Sequence, residues 1–214
     1  MYIAIEGVIG VGKTTLARMI KQLFDANLLL EVFEENPFLS DFYSDRHRYA
    51  FQTQIFFLLS RYQQQHRTVD EYLSEKDFLI SDYTFDKDAL FARINLSGDE
   101  LEMYYRVHRA LGEKIHIPDL IVYLRASTEV LMNRISKRDR PYERQMESAY
   151  IEELNQSYDD FFIENKDKHS SPILTIETDH LDYVKNEGDL KLIENKIRQM
   201  LQLSPFQPEL PLNE

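Results

Sequence analysis

The hydrophobic pattern alternates between short apolar runs and longer stretches in which apolar residues recur every three or four positions. Short runs predict buried strands over 2–5, 28–33, 78–82, 120–124 and 172–176. Helical spacing predicts helices over 14–24, around 51–62, and over 99–111, 128–137, a segment ending at 162, and 190–201. This alternation indicates an α/β fold with a five-stranded parallel sheet covered on both faces by helices.

Length and composition limit the classes of protein that the chain can belong to. We expect one domain over residues 1–203, with a lid at about 134–146 and an extended tail over 204–214. A net charge of −12 disfavours binding to a nucleic acid polymer, and the absence of cysteine excludes disulfides and thiolate metal sites. No apolar run reaches the length of a membrane span, and the N-terminus has the pattern of a strand and lacks that of a signal peptide. The sequence therefore predicts a cytoplasmic protein without a membrane partner.

A phosphate-binding motif follows the first predicted strand. The stretch GVIGVGKTT contains GxxxxGK[ST] between a strand and a helix, which is the context of a P-loop; a glycine-rich turn without a ligand is the less favoured interpretation. Backbone N–H groups and the positive end of the helix would hold the phosphates of ATP, and the threonine after the lysine would ligate Mg²⁺. The predicted phosphate-binding residues are Gly7, Gly10, Gly12, Lys13, Thr14 and Thr15. A GTPase is disfavoured, because the nearest match to NKxD, at 165–168, ends in lysine.

Carboxylates follow the second and third predicted strands. The carboxyl ends of neighbouring parallel strands form the ligand-binding edge of such a sheet. Glu31 is the candidate base for transfer of a phosphoryl group to an alcohol, since such a base must lie near the hydroxyl. Asp82 is the candidate acid that holds Mg²⁺ directly or through water. Glu34 and Glu35 are interpreted as solvated loop residues.

Five segments together resemble the deoxynucleoside kinase family, most closely its bacterial deoxyadenosine and deoxyguanosine kinases. They are GVIGVGKTT, EVFEENPFLSDFY, FQTQIFFLLSR, LISDY and RISKRDRPYE, and the similarity extends from the first strand to about Tyr158. The resemblance implies a P-loop kinase fold with an arginine-rich lid, ATP and Mg²⁺ as cofactors, and a homodimer. It also implies transfer of the ATP γ-phosphate to the 5′-hydroxyl of a purine deoxynucleoside.

The resemblance also implies roles for individual residues. Gln54 and Arg61 are seven positions apart and so share one face of the predicted long helix. The family places its base-reading glutamine and a supporting arginine at these positions, and its 3′-hydroxyl ligands at Tyr43 and Glu143. Tyr43 could share the same face if the helix extends back to it. The family's catalytic glutamate matches Glu31, its lid arginines match Arg134, Arg138 and Arg140, and residues 178–184 resemble its loop around the adenine of the donor.

One segment departs from the family pattern. After the third strand the family commonly has acid-Arg-Ser, whereas this chain has Asp82-Tyr83-Thr84. Lys87 and Arg93 are the candidates for the missing cation. Asp86 or Asp88 is a candidate to face the base.

These observations predict a deoxynucleoside kinase and leave two rivals. A nucleoside monophosphate kinase such as thymidylate kinase would need further cations for the phosphate of its acceptor, and we expect none near Glu31. A non-catalytic nucleotide sensor would not need the complete set of Lys13, Thr14, Glu31 and Asp82. A glutamine at position 54 can pair with adenine, guanine or cytosine, so its chemistry alone does not select the base.

Overall fold

A five-stranded parallel sheet forms the centre of the molecule. The computed structural model describes residues 1–32 and 35–204, apart from the side chain of Lys168. The strands are β1 (Tyr2–Glu6), β2 (Asn27–Leu29), β3 (Leu79–Ser81), β4 (Leu120–Arg125) and β5 (Ile173–Glu177). They pair in the order β2-β3-β1-β4-β5, and each pairing is parallel. The α/β prediction and its five-stranded parallel sheet are confirmed.

Helices connect the strands and cover the sheet. They are α1 (Lys13–Leu23), α2 (Leu39–Ser44), α3 (Arg46–Glu75), α4 (Lys87–Asn95), α5 (Gly98–Gly112), α6 (Thr128–Arg138), α7 (Ser148–Asp159) and α8 (Glu187–Met200). A π-helical turn, Asp160–Glu164, continues α7, and single 3₁₀ turns lie at Pro141–Glu143 and Lys166–Lys168. In the part of the chain that the structure describes, no helix is long and apolar enough to cross a membrane.

The two central strands are buried on both faces. Ile3, Ile5, Val122 and Leu124 have no exposed surface, which is why β1 and β4 appear in the sequence as continuous apolar runs. Burying both faces of these strands fixes their carboxyl ends at one edge of the sheet. That edge positions the site described below.

The second strand and the start of the long helix differ from the prediction. The second strand ends at Leu29, while Phe33 and Glu34 lie outside the described residues. The long helix does not extend back to Tyr43, which was the condition for Tyr43 to share a helix face with Gln54: Asp45 leaves helical geometry, and its carboxylate accepts the backbone N–H of Arg48 at 3.2 Å. This N-cap separates α2 from α3.

Helix α4 was not predicted from the sequence. It buries charged residues, Lys87 and Asp88, beside the apolar Leu90 and Ala92. Charged residues on the buried face mask the apolar period that would otherwise indicate a helix. The single-domain boundary at 203 and the extended tail remain predictions, because residues 205–214 lie outside the described part of the chain.

Candidate active site

A cavity opens at the carboxyl ends of β1 and β3. It brings together most of the site residues predicted from the sequence, although they come from five separate segments. The predicted residues that line it are Gly10, Lys13, Thr14, Glu31, Tyr43, Gln54, Arg61, Asp82, Arg138, Arg140 and Glu143. A neighbouring cavity is lined by Gly10, Gly12, Thr15, Arg134, Arg138 and residues 179–184. We call the first the acceptor cavity and the second the donor cavity; Gly10 and Arg138 line both.

The phosphate loop connects β1 to α1. Helix α1 begins at Lys13, so its unpaired N–H groups and positive dipole end lie at the loop. The Lys13 ammonium donates hydrogen bonds to the carbonyl oxygens of Gly7 at 2.6 Å and Val8 at 3.3 Å. Burial and the nearby Lys87 cation lower the pKa of Lys13 to about 8, although three carboxylates oppose this. An anion in the loop would compensate the charge of this partly buried ammonium.

Gly7 allows the first turn of this loop to pass close to β4. Its φ is +145°, and a Cβ built there would lie 2.4 Å from the carbonyl oxygen of Leu124. We expect Gly7→Ala to lower the free energy of unfolding by about 2–4 kcal/mol, because backbone strain adds to a clash with backbone that cannot rotate away. Chemical denaturation measures this loss.

Gly98→Ala is the matched control for that substitution. Gly98 also has positive φ, at +54°, but a Cβ there meets nothing within 4 Å. Strain alone should cost about 1 kcal/mol. Equal losses for the two variants would contradict the clash at Gly7.

Asp82 connects the phosphate loop to the end of β2. Its carboxylate accepts hydrogen bonds from the Thr14 hydroxyl and, at 2.8 Å, from the backbone N–H of Glu31. A hydroxyl and a carboxylate oxygen side by side are the hard oxygen donors that Mg²⁺ prefers. The residues present therefore fit a magnesium ion between Thr14 and Asp82.

Four charged side chains form a closed ring at the centre of the acceptor cavity. The Arg61 guanidinium bonds to both Glu31 and Asp88, and the Lys87 ammonium donates to the second oxygen of Glu31 at 2.6 Å. Lys87 and Asp88 are neighbours at the start of α4, which closes the ring through the backbone. The side chains are between 2% and 13% exposed. We call Glu31, Arg61, Asp88 and Lys87 the charge ring.

The charge ring keeps Glu31 ionised. Burial raises the pKa of this carboxyl, but the Arg61 and Lys87 cations outweigh burial and hold the pKa well below its usual range. The expectation that no further cation lies near Glu31 is therefore wrong. Lys87 was a candidate for the missing cation, but its pairing with Glu31 was not predicted, because 56 residues separate the two and only the fold joins them.

The structure distinguishes between the candidates for the missing cation, and between the two aspartates that were candidates to face the base. Tyr83 is buried, and its hydroxyl donates to Gln64 at 2.6 Å. Arg93 lies 3.9 Å from Asp160 with its side chain 49% exposed, whereas Lys87 lines the acceptor cavity. Asp88 also lines this cavity, whereas Asp86 is exposed and lines a different crevice.

Sequence reasoning also missed Glu6, the last residue of β1. It has no exposed surface and accepts hydrogen bonds from the Thr84 backbone N–H at 2.5 Å and hydroxyl at 2.9 Å. The Thr84 hydroxyl in turn accepts the backbone N–H of Lys87 at 3.3 Å. Burial raises the pKa of Glu6, while Lys87 and Lys13 oppose the rise. An acid directly before the phosphate loop, inside an apolar run, was the available signal.

The acceptor cavity also combines aromatic walls with an unpaired side-chain carbonyl. Gln54 is 2% exposed, and within the described residues its side-chain carbonyl has no hydrogen-bond partner. A buried polar atom without a partner indicates a ligand or water site. Tyr43 lines the same cavity, and its ring is stacked on that of Tyr142, with the centroids 6.2 Å apart. The aromatic residues lining the cavity are Phe42, Tyr43, Phe57, Phe91, Tyr142 and Tyr150.

The predicted lid lies over both cavities and is held by ion pairs. The Arg138 guanidinium bonds to both oxygens of Glu143, at 2.6 and 2.7 Å, and Arg140 lies 3.6 Å from the same carboxylate. Arg134 donates to the carbonyl of Val11 at 3.1 Å and to Thr178 at 2.7 and 3.0 Å. It thus fastens the lid helix to the phosphate loop and to the segment after β5.

The loop over 178–184 forms the other wall of the donor cavity. The Tyr183 hydroxyl donates to the Gly12 carbonyl at 3.3 Å. Residues 179–184 therefore lie against the phosphate loop, and the family resemblance predicts that they surround the base of the donor.

Comparisons with known proteins agree with this geometry. A family model described as deoxynucleoside kinase matches residues 3–202. A deoxyguanosine kinase of Bacillus subtilis (strain 168) is 36% identical over 201 residues, which are 94% of this chain and 97% of that protein. A deoxyadenosine/deoxycytidine kinase of the same strain is 27% identical over 206 residues, with 93% and 92% covered. The solved structure of M. mycoides deoxyadenosine kinase with bound dATP superposes with a TM-score of 0.78 at 28% identity, covering 92% of this chain and 99% of that one.

Proposed function

The chain belongs to the deoxynucleoside kinase family, and we propose that it transfers the γ-phosphate of ATP to the 5′-hydroxyl of deoxyadenosine, deoxyguanosine or both. The observation that carries this proposal is the position of Glu31. Its carboxylate lies in a cavity that contains both Lys13 of the phosphate loop and the unpaired carbonyl of Gln54. A nucleoside in that cavity would direct its base to Gln54 and its 5′-hydroxyl to Glu31.

The transfer step follows from these positions. The 5′-oxygen forms a bond to the γ-phosphorus while the bond to the β,γ-bridging oxygen breaks, and ADP leaves with the electron pair. The proton of the 5′-hydroxyl passes to the Glu31 carboxylate and later to solvent. Lys13 and the lid arginines, Arg138 and Arg140, stabilise the negative charge on the phosphates.

A magnesium ion is part of this proposal. Thr14 and Asp82 would hold it, directly or through water, because they place two oxygen ligands beside the phosphate loop. When bound, the ion supplies charge neutralisation at the β- and γ-phosphates.

Separate residues of the cavity recognise the base and the sugar of the acceptor nucleoside. Gln54 reads the base, supported by Arg61 and by Asp88, which has one buried oxygen without a partner among the described residues. Tyr43 and Glu143 hold the 3′-hydroxyl, as the family resemblance implies. The purine preference is supported by the relatives described above: one is a deoxyguanosine kinase, one a deoxyadenosine kinase, and one acts on deoxyadenosine and deoxycytidine.

A homodimer in the cytoplasm is proposed on the same resemblance. Helices α3 and α5 pack together and expose Leu59 and Met103, with 43% and 46% of their surface accessible. Such side chains suit contact with a second copy. Sedimentation velocity would then show a species of twice the mass of the chain.

Both rivals remain less well supported. A nucleoside monophosphate kinase is less well supported because the family model that matches residues 3–202 is that of deoxynucleoside kinases. A non-catalytic sensor would have no need of Glu31, Asp82 and Lys13 converging on one cavity.

A substrate panel with Mg-ATP tests the proposal. We expect ADP release with deoxyadenosine or deoxyguanosine, and slower release with pyrimidine deoxynucleosides and with monophosphates. Activity confined to monophosphates would favour the monophosphate kinase. Binding of ATP without turnover of any acceptor would favour the sensor.

A further inference from the structure

Lys87 is a buried cation that the acceptor cavity holds in a defined place. Its side chain is 7% exposed, and the Phe91 ring centroid is 5.7 Å from its ammonium. The start of α4, which carries Lys87, is fixed by Thr84, whose hydroxyl and backbone N–H bond to Glu6 at the end of β1. The lysine is therefore attached to the same strand end that begins the phosphate loop.

The partners of Lys87 differ from those of Arg61 in one important respect. Arg61 is held by two carboxylates, those of Glu31 and Asp88. Among the described residues, the Lys87 ammonium donates only to Glu31. Lys87 can therefore leave Glu31 without breaking a hydrogen bond to another carboxylate, and Arg61 still neutralises Glu31, whereas departure of Arg61 would leave Asp88 without its cation.

The pairing of Glu31 with two cations conflicts with its proposed role as a base. A carboxylate accepts a proton poorly while two cations stabilise its charge, and the Lys87 ammonium occupies the oxygen at 2.6 Å that a hydroxyl would need. Either the hydroxyl competes with an ammonium for this oxygen, or the ammonium must find another anion. The γ-phosphate is the anion that arrives at this place when ATP is bound.

We propose that Lys87 exchanges partners during the reaction, leaving Glu31 for the oxygens of the transferring phosphoryl group. This inference rests on the proposed kinase function. The exchange frees one Glu31 oxygen for the 5′-hydroxyl and gives the phosphoryl group a second cation beside Lys13, which lines the same cavity. Lys87 stays an ammonium throughout, and the proton of the hydroxyl goes to Glu31. Lys87 thus supplies the cation that this chain lacks at Tyr83, four residues earlier, where the family commonly has an arginine.

Lys87→Met tests this exchange, since methionine keeps the length of the side chain and removes the charge. We expect kcat to fall by about 100-fold or more, as for removal of other groups that stabilise charge in a transition state. Affinity for the 5′-monophosphate product should fall by about tenfold or more, because the charged hydrogen bond to the phosphoryl group is lost. Affinity for the nucleoside, which has no phosphoryl group, should change by less than about threefold. Isothermal titration of product and nucleoside measures both.

The conservative variant gives an independent measurement. Lys87→Arg keeps the charge, so it should recover at least about tenfold of the kcat that Lys87→Met loses.

Arg93→Met is the matched control, because it removes a cation from the same helix outside the cavity. It should change kcat by less than about twofold. A Lys87→Met enzyme with near-normal kcat would overturn the proposal. So would a loss of kcat in which the ratio of the affinities for product and nucleoside stays unchanged. Circular dichroism shows whether Lys87→Met is folded. If it is not, Lys87→Arg becomes the test, and a folded Lys87→Arg protein without measurable kcat would contradict the proposal. Failure of the kinase assignment is visible separately, in wild-type protein that phosphorylates no deoxynucleoside.

Discussion

Glu31→Gln is expected to lower kcat by about a thousandfold while the KM for the deoxynucleoside changes by only a few-fold. A positioned general base contributes about 10²–10⁴ to the rate, and glutamine cannot accept the proton of the 5′-hydroxyl. Glutamine keeps the shape of the side chain, and its amide oxygen can still accept one of the hydrogen bonds from Arg61 or Lys87. The loss should therefore appear in the chemical step, measured by single-turnover kinetics with saturating Mg-ATP.

Glu35→Gln is the control for that substitution. Glu35 is a carboxylate in the same loop, and it is exposed. Its neutralisation should leave kcat within about twofold of wild type. A Glu31→Gln enzyme that keeps kcat within about threefold would show that another group accepts the proton.

The same substitution should change how stability depends on pH. Because Arg61 and Lys87 depress the pKa of Glu31 in the folded protein, ionisation of Glu31 stabilises the fold above its ordinary pKa of about 4.3. That stability is lost as pH falls from this value through the folded pKa. We expect wild-type Tm to fall more steeply than that of Glu31→Gln as pH falls below about 4.3.

Arg61→Met is expected to lower the free energy of unfolding by about 3–5 kcal/mol. Arg61 is 5% exposed at the side chain and is the described partner of Asp88, whose side chain is 2% exposed. Methionine would leave that carboxylate buried without a cation, and this cost exceeds what a new apolar contact with Phe57 returns. Urea denaturation at neutral pH measures the loss.

Two further variants separate a stranded charge from lost packing. Arg61→Met combined with Asp88→Asn removes the unpaired charge, so it should recover about 1–3 kcal/mol relative to Arg61→Met alone. Lys191→Met removes a surface ion pair with Glu187, in which the side chains are 60% and 90% exposed. It should lower the free energy of unfolding by less than about 1 kcal/mol. If the double variant were no more stable than Arg61→Met, packing and not charge would explain the loss.

Most of the candidate site was predictable because its residues belong to motifs with local spacing. The phosphate loop, Glu31 and Asp82 each follow a strand, and parallel strands bring their carboxyl ends to one edge. Gln54 and Arg61 are two turns apart on α3, so one face carries both into the cavity. Their roles in catalysis and recognition stay predictions until the variants are measured.

The parts of the site that escaped prediction depend on contacts between distant segments. Glu6 meets Thr84 across 78 residues, and Arg61 meets Asp88 across 27. A charged residue in a sequence is by default assigned to the surface, because burial of an unpaired charge is costly. The pairing that makes burial possible is visible only when both partners are in place.

The sequence by itself determined the sheet, the phosphate loop between β1 and α1, and the family to which these motifs point. These features follow from local periodicity and from the steric freedom of glycine, which act within about ten residues. Only the tertiary structure decided that Arg134 fastens the lid helix to Thr178 and that Lys87 reaches Glu31. The physical reason is that these contacts join residues that are distant in the sequence. Only the folded sheet brings them close enough in space to pair.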